Sequence, residues 1–134
     1  MAIFISEGYK DTIEFAKKYA STLKGGDVVL LNGEMGAGKT VFAKGVALAL
    51  GIGDEILSPT YSYMNDYYGK LYHFDCYRLS SGGQAEELGL CDYFYSDGIC
   101  LIEWAENISS VLPEKVKVVN IQKLGENRRG IEYE

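Results

Sequence analysis

Apolar and polar positions divide this chain into short segments of two distinct periods. Residues 2–6 alternate, which predicts a short strand. From Lys10 to Leu23 the apolar residues Ile13, Phe15, Ala16, Tyr19, Ala20 and Leu23 follow a helical spacing. Asp11 or Thr12 is placed to cap the start of that helix. Gly25-Gly26-Asp27 ends it and leads into an apolar strand, Val28 to Leu31. A second helix is predicted over 39–50, stopped by Gly51 and Gly53. Ser58-Pro59-Thr60 opens a loop, because Pro59 disfavours helix in the residue before it. Tyr61 to Tyr67 and Lys70 to Tyr77 are aromatic and β-rich, with Tyr68-Gly69 between them, so they read as a hairpin. Residues 84–96 read as two short helical pieces around Gly89. Ile99-Cys100-Leu101-Ile102 is a continuous apolar run, as expected of a strand covered on both faces. Val116 to Gln122 and Gly130 to Tyr133 form a last hairpin around Gly125-Glu126-Asn127. The order predicts a βαβ core with added antiparallel strands: an α/β fold with a mixed sheet flanked by helices, in one domain over 1–134.

Between the strand at 28–31 and the helix after it lies Gly33-Glu34-Met35-Gly36-Ala37-Gly38-Lys39-Thr40, a complete P-loop. The glycines let backbone N–H groups turn toward an anion, and the following helix presents its positive end to phosphates. Lys39 reaches the β and γ phosphates, and the Thr40 hydroxyl takes a place on Mg²⁺. A chance match of this kind occurs in about one percent or fewer of chains this long. The flanking strand and helix make the phosphate-binding reading far stronger than that of an accidental glycine-rich turn.

A P-loop needs an acid near its metal, commonly at the end of a neighbouring apolar strand. Glu103 stands immediately after the run 99–102 and before Trp104. Asp is the commoner residue there, so Glu is a departure. A further segment, His73-Phe74-Asp75-Cys76-Tyr77-Arg78, alternates. Tyr72, Phe74 and Cys76 would face the core, and His73, Asp75 and Tyr77 the other side. Asp75 is then a candidate to orient an attacking water. Spacing alone favours a solvated acid, with His73 a hydrogen-bonded strand residue. Thr60, on the loop after the P-loop helix, is a candidate sensor of the γ phosphate or the metal. The tyrosines at 61, 63, 67, 68, 72 and 77 read as strand packing rather than base stacking, since no basic groove accompanies them.

The charge balance narrows the partners. There are 19 acids against 13 bases, a net charge of −6 and an isoelectric point near 4.8. Direct binding of RNA or DNA, which leans on Lys and Arg, is disfavoured. No segment is long and apolar enough to span a membrane, and the first residues lack the pattern of a signal peptide. Cys76, Cys91 and Cys100 are an odd number without metal-ligand spacing, which suits a reducing cytoplasm.

Taken together, these segments resemble the TsaE (YjeE) family of bacterial ATP-binding proteins. The resemblance rests on Gly33 to Thr40, Ser58-Pro59-Thr60-Tyr61, His73 to Leu79, Glu87 to Phe94, and Leu101-Ile102-Glu103-Trp104-Ala105-Glu106, and it covers nearly the whole chain. It implies a cytoplasmic protein that binds ATP with Mg²⁺ and hydrolyses it weakly. It further implies support for a complex of TsaB and TsaD that makes threonylcarbamoyladenosine in tRNAs reading codons that start with A. Such a protein meets tRNA only indirectly. On this resemblance Thr40 and Glu103 bind Mg²⁺, Lys39 and the P-loop backbone hold the phosphates, and Asp75 is the catalytic carboxylate. Thr60 falls on a nucleotide-sensing loop, Trp104 stands beside the metal, and Thr12 contacts the nucleotide together with Arg128 or Arg129. The span from Tyr61 to Tyr77 is a candidate docking face.

Two other classes compete. A small P-loop kinase of a metabolite would carry an Arg-bearing lid, but the only arginines are Arg78, Arg128 and Arg129. A GTPase would carry an Asn-Lys-x-Asp motif, which this chain lacks. A non-catalytic nucleotide-binding scaffold shares the P-loop and is separated by its turnover.

Overall fold

The computed structural model describes every residue from Met1 to Glu134. Its elements run β1 (Ala2–Ser6), α1 (Tyr9–Ala20), β2 (Val28–Asn32), α2 (Lys39–Ala49), β3 (Met64–Tyr67) and β4 (Leu71–Asp75), then α3 (Gly82–Glu87) and a 3₁₀ helix (Leu90–Tyr95). β5 (Ile99–Glu103), a second 3₁₀ helix (Ala105–Val111), β6 (Lys117–Lys123) and β7 (Arg129–Tyr133) complete the chain. The seven strands are ordered β1-β7-β6-β2-β5-β4-β3 in a mixed sheet, the α/β class that the residue pattern predicts. Two compact units are distinguished, Met1–Leu23 with Leu31–Leu57 and Val118–Glu134, and Lys24–Leu30 with Ser58–Lys117.

In the first unit β1 pairs antiparallel with β7, and β7 with β6. Helices α1 and α2 press together at Gly45, where a Cβ would lie 2.5 Å from that of Ala16 and 2.7 Å from the Ile13 carbonyl oxygen. Only hydrogen fits at that crossing. An aromatic cluster fills the space beside it. Phe15 stacks on Phe4 at 4.6 Å and meets Tyr133 edge-on at 4.9 Å, while Tyr19 leans on Phe42 at 5.7 Å.

The start of α1 differs from expectation. Its N-cap is Gly8, with no capping side chain, so neither Asp11 nor Thr12 is the cap. Both lie within the first turn, past the position from which a side chain can cap. Asp11 Oδ2 instead reaches back to accept from the Glu7 N–H at 2.9 Å, and the Thr12 hydroxyl bonds Ser6. The helix also ends at Ala20 rather than Leu23. There the Ser21 and Thr22 hydroxyls take the carbonyls of Lys18 and Tyr19.

In the second unit β4 runs parallel to β5 and antiparallel to β3. The β3–β4 hairpin turns at Tyr68 and Gly69, with φ of 61° and 67°, two positive values that match the twist of tight hairpins. Its strands are shorter than the aromatic pattern suggests. Tyr63 has φ 67° and donates its N–H to the Pro59 carbonyl at 2.8 Å, so the segment before Met64 is a turn. At the far end Asp75 Oδ1 accepts from the Tyr77 N–H at 2.9 Å, which bends the chain out of β4. Tyr77 therefore does not continue the strand alternation with His73 and Asp75. Tyr72, Phe74, Cys76, Cys100 and Ile102 lie in the core, as their positions predict, and Phe94 joins them there. Gly89, at φ 76°, separates α3 from the first 3₁₀ helix, matching the two predicted pieces. The second 3₁₀ helix is not evident from the pattern; only Ala105 and Ile108 in it are buried.

Candidate functional site

The P-loop joins β2 to α2 in the first unit. Gly36 and Gly38 have φ of 80° and 110°, conformations that side chains resist, and no side chain caps α2. Gly33 has no room for a Cβ, which would sit 2.8 Å from the Ile121 carbonyl oxygen. Lys39 opens α2 and is 7% exposed, so its cation is withdrawn from bulk water. Thr40 is half-buried, while Glu34, Met35 and Gly36 are exposed at the rim. Uncapped N–H groups at a helix start, a buried Lys and a hydroxyl next to it form the donor set that fits phosphates with Mg²⁺.

Arg129 is locked against this loop. Its Nε donates to the Ala37 carbonyl at 2.8 Å and an Nη donates to that of Gly36 at 3.4 Å. The other Nη is held by the carbonyls of Gly125, Glu126 and Arg128. Arg128 turns the other way, pairing with Glu7 at 3.1 Å on the exposed surface. β1–β7 pairing sets Ser6 opposite Arg129. The Ser6 hydroxyl donates to the Gly8 carbonyl at 2.8 Å, so at the 2.7 Å contact between them the Thr12 hydroxyl is the donor. Beside the P-loop a cleft of about 370 Å³ is lined by Gly33, Glu34, Asn120 and Gln122 among others. Of its lining residues, Asn32 donates its amide N–H to Asn120 Oδ1 at 3.0 Å, and Asn120 donates in turn to the Glu132 carboxylate at 3.0 Å.

The second unit holds the acids. β4 and β5 are parallel, and their register sets Asp75 opposite Glu103 at the carboxyl ends of both strands. That is the end at which open α/β sheets bind ligands. Each is only 4% exposed. Asp75 Oδ2 accepts from the hydroxyls of Thr60 at 3.1 Å and Ser58 at 3.4 Å, and Oδ1 from the Tyr77 N–H. Asp75 is therefore a bonded carboxylate, not the solvated acid that spacing alone favours. Glu103 Oε2 lies 2.6 Å from Nε2 of His73, a ring with no exposed surface. Trp104 follows at φ 57°, a backbone conformation rare without glycine, and meets Tyr77 edge-on at 5.0 Å. Such strain gathers where function demands a sharp turn.

The tyrosines divide. Tyr67 and Tyr72 are buried strand residues, but Tyr61 and Tyr68 are 84% and 70% exposed because they sit on turns. Arg78 covers the rings of Tyr61 and Tyr63 at 5.3 and 5.9 Å. All three cysteines are free thiols. Burial pushes Cys76 and Cys100 up to about 12, with Asp75 adding to the effect at Cys76. No group of three or more His, Cys, Asp or Glu residues is arranged to cage a metal. No helix is long and apolar enough to cross a membrane. Ser6 carries no sequence signal, and Ser58, though part of Ser58-Pro59-Thr60-Tyr61, is not singled out as a partner of Asp75 because that contact spans 17 residues.

Comparison with known proteins shows what the chain is similar to. The family model described as threonylcarbamoyl adenosine biosynthesis protein TsaE matches residues 6–131. The tRNA threonylcarbamoyladenosine biosynthesis protein TsaE of Treponema pallidum is 40% identical over 129 residues, 95% of this chain and 96% of the relative. Its namesake in Bacillus subtilis is 40% identical over 127 residues, 92% of this chain and 79% of the relative. That of Haemophilus influenzae is 42% identical over 117 residues, 81% and 74% of the two chains. The crystal structure of YdiB from Bacillus subtilis superposes with a TM-score of 0.82 at 36% identity, covering 98% of this chain and 83% of the other. The chain thus belongs to the TsaE family of threonylcarbamoyladenosine biosynthesis proteins.

Proposed function

We propose that this protein binds ATP with Mg²⁺, hydrolyses it slowly, and acts as an accessory subunit to TsaB and TsaD in forming threonylcarbamoyladenosine on tRNA. The observation that carries the reading is an intact P-loop, braced by Arg129, in a chain of the TsaE family. In this reading the backbone of Gly33 to Lys39 and the Lys39 ammonium hold the phosphates. Thr12 and Arg129 serve the nucleotide; the Glu7 pair makes Arg128 the weaker candidate. The Thr40 hydroxyl and the Glu103 carboxylate hold Mg²⁺, whose charge, when bound, offsets that developing on the transferred phosphoryl group. Asp75 orients the attacking water and accepts its proton, and Thr60 ties the state of that carboxylate to the loop it sits on. Trp104 fixes the turn that aims Glu103.

The test is reconstitution with TsaB, TsaD and tRNA. Repeated rounds of modification should require this protein and ATP, and Lys39→Ala should abolish both nucleotide binding and that support. Modification unaffected by leaving the protein out overturns the accessory role. Unchanged nucleotide affinity in Lys39→Ala overturns the site.

A further inference from the structure

His73 is the single histidine of the chain, and no role in nucleotide chemistry accounts for its complete burial. It lies on β4 two residues before Asp75, and the parallel register sets it opposite Leu101, two residues before Glu103. Residues two apart share a face of the sheet, so ring and carboxylate meet on one side. Nε2 stands 2.6 Å from Glu103 Oε2, while no protein group lies within hydrogen-bond reach of Nδ1. A carboxylate only accepts, so Nε2 carries the hydrogen. The ring is thus a fixed donor, held by the strand and aimed at one carboxylate oxygen.

We propose that His73 is a positioning residue for Glu103. Its Nε2–H locks the carboxylate in one orientation and thereby sets how strongly Mg²⁺ supports nucleotide binding. The proposal rests on the reading of Glu103 as the metal carboxylate. A glutamate has three side-chain torsions, and a carboxylate that must wait for the right rotamer binds a cation less well than one already in place. Outer partners of this kind are worth roughly 10- to 100-fold in metal affinity.

Two measurements test it. Because there is one imidazole, a long-range ¹H–¹⁵N spectrum of the wild-type protein reports it alone; it should show a hydrogen on Nε2, with the Nε2 signal moved in Glu103→Gln. An Nε2 without hydrogen, or signals indifferent to Glu103→Gln, overturns the proposal without any variant of His73 having to fold. The second is nucleotide affinity by calorimetry across a Mg²⁺ titration and in chelator. His73→Leu should need roughly 10- to 100-fold more Mg²⁺ while its affinity in chelator stays at the wild-type value. His73→Gln, which keeps an N–H donor, should recover part of the loss. Wild-type Mg²⁺ dependence in folded His73→Leu, with the dependence lost in Glu103→Gln, overturns only the positioning role. Wild-type dependence in Glu103→Gln overturns the metal reading of Glu103 itself.

Discussion

Asp75 shows how much a single carboxylate depends on its neighbours. Two hydroxyls and one backbone N–H hold it oriented at the end of β4. If it orients water, Asp75→Asn should keep nucleotide affinity and lower single-turnover hydrolysis by roughly 10²- to 10⁴-fold. Normal hydrolysis in that variant removes Asp75 from the mechanism. For the cysteines burial decides the chemistry. Cys76 and Cys100 are raised from 9.0 to about 12, chiefly by burial, so both stay protonated at neutral pH. Alkylation of the folded protein at pH 8 should therefore modify half-buried Cys91 and spare the other two, as peptide mass mapping would show. Above pH 9.0 an unfolded chain releases these protons and the folded one does not. The stability they contribute is present below that value and falls as pH climbs toward 12. His73 belongs at this scale too. The alternation of β4 put it on the face of Asp75, but its partner comes from a strand 30 positions away.

At the scale of elements, close packing decides what the residue pattern leaves open. α2 contains Gly45 in its interior, where glycine costs about 1 kcal/mol of helix propensity relative to alanine. A Cβ at that position would stand 2.7 Å from the Ile13 carbonyl oxygen, a backbone atom that cannot step aside. The clash outweighs the propensity gain, so Gly45→Ala should destabilise by about 1–3 kcal/mol in chemical denaturation. An increase in stability would show that α1 shifts freely against α2. The same reasoning explains the caps. Asp11 and Thr12 look like cap residues, yet the chain enters α1 through Gly8, and the Ser6 hydroxyl draws Thr12 back toward β1. The hairpin after Pro59 begins late for a comparable reason. Tyr61 to Tyr63 have strand-like composition, but the Tyr63 N–H bonds Pro59 and turns the backbone. Composition reports which residues suit a strand; it does not report which hydrogen bond captures the backbone first.

For the molecule as a whole, charge sets the kind of partner. A net charge of −6 opposes the phosphate backbone of tRNA. In the reconstitution described above, the protein alone should not retard tRNA in a gel at physiological salt, and any association should appear only with TsaB and TsaD present. Tight tRNA binding by the isolated protein would reverse that expectation. Tyr61 and Tyr68, exposed on turns, keep the span from Tyr61 to Tyr77 in view as a surface for protein contact.

The sequence by itself determined the class of fold, the P-loop and the family. These depend on local spacing: glycines at fixed intervals, an apolar strand before them, a helix after them, and acids at the ends of apolar runs. Tertiary structure decided the rest. It separated Arg129 from Arg128, adjacent in sequence yet facing the P-loop carbonyls and Glu7 respectively. It turned Asp75 from a plausible surface acid into a bonded carboxylate, brought Ser58 and Thr60 to it, and joined His73 to Glu103. None of these pairings is periodic. Each depends on strand register and on a loop returning to a strand end, and such long-range choices leave no local trace in the order of residues.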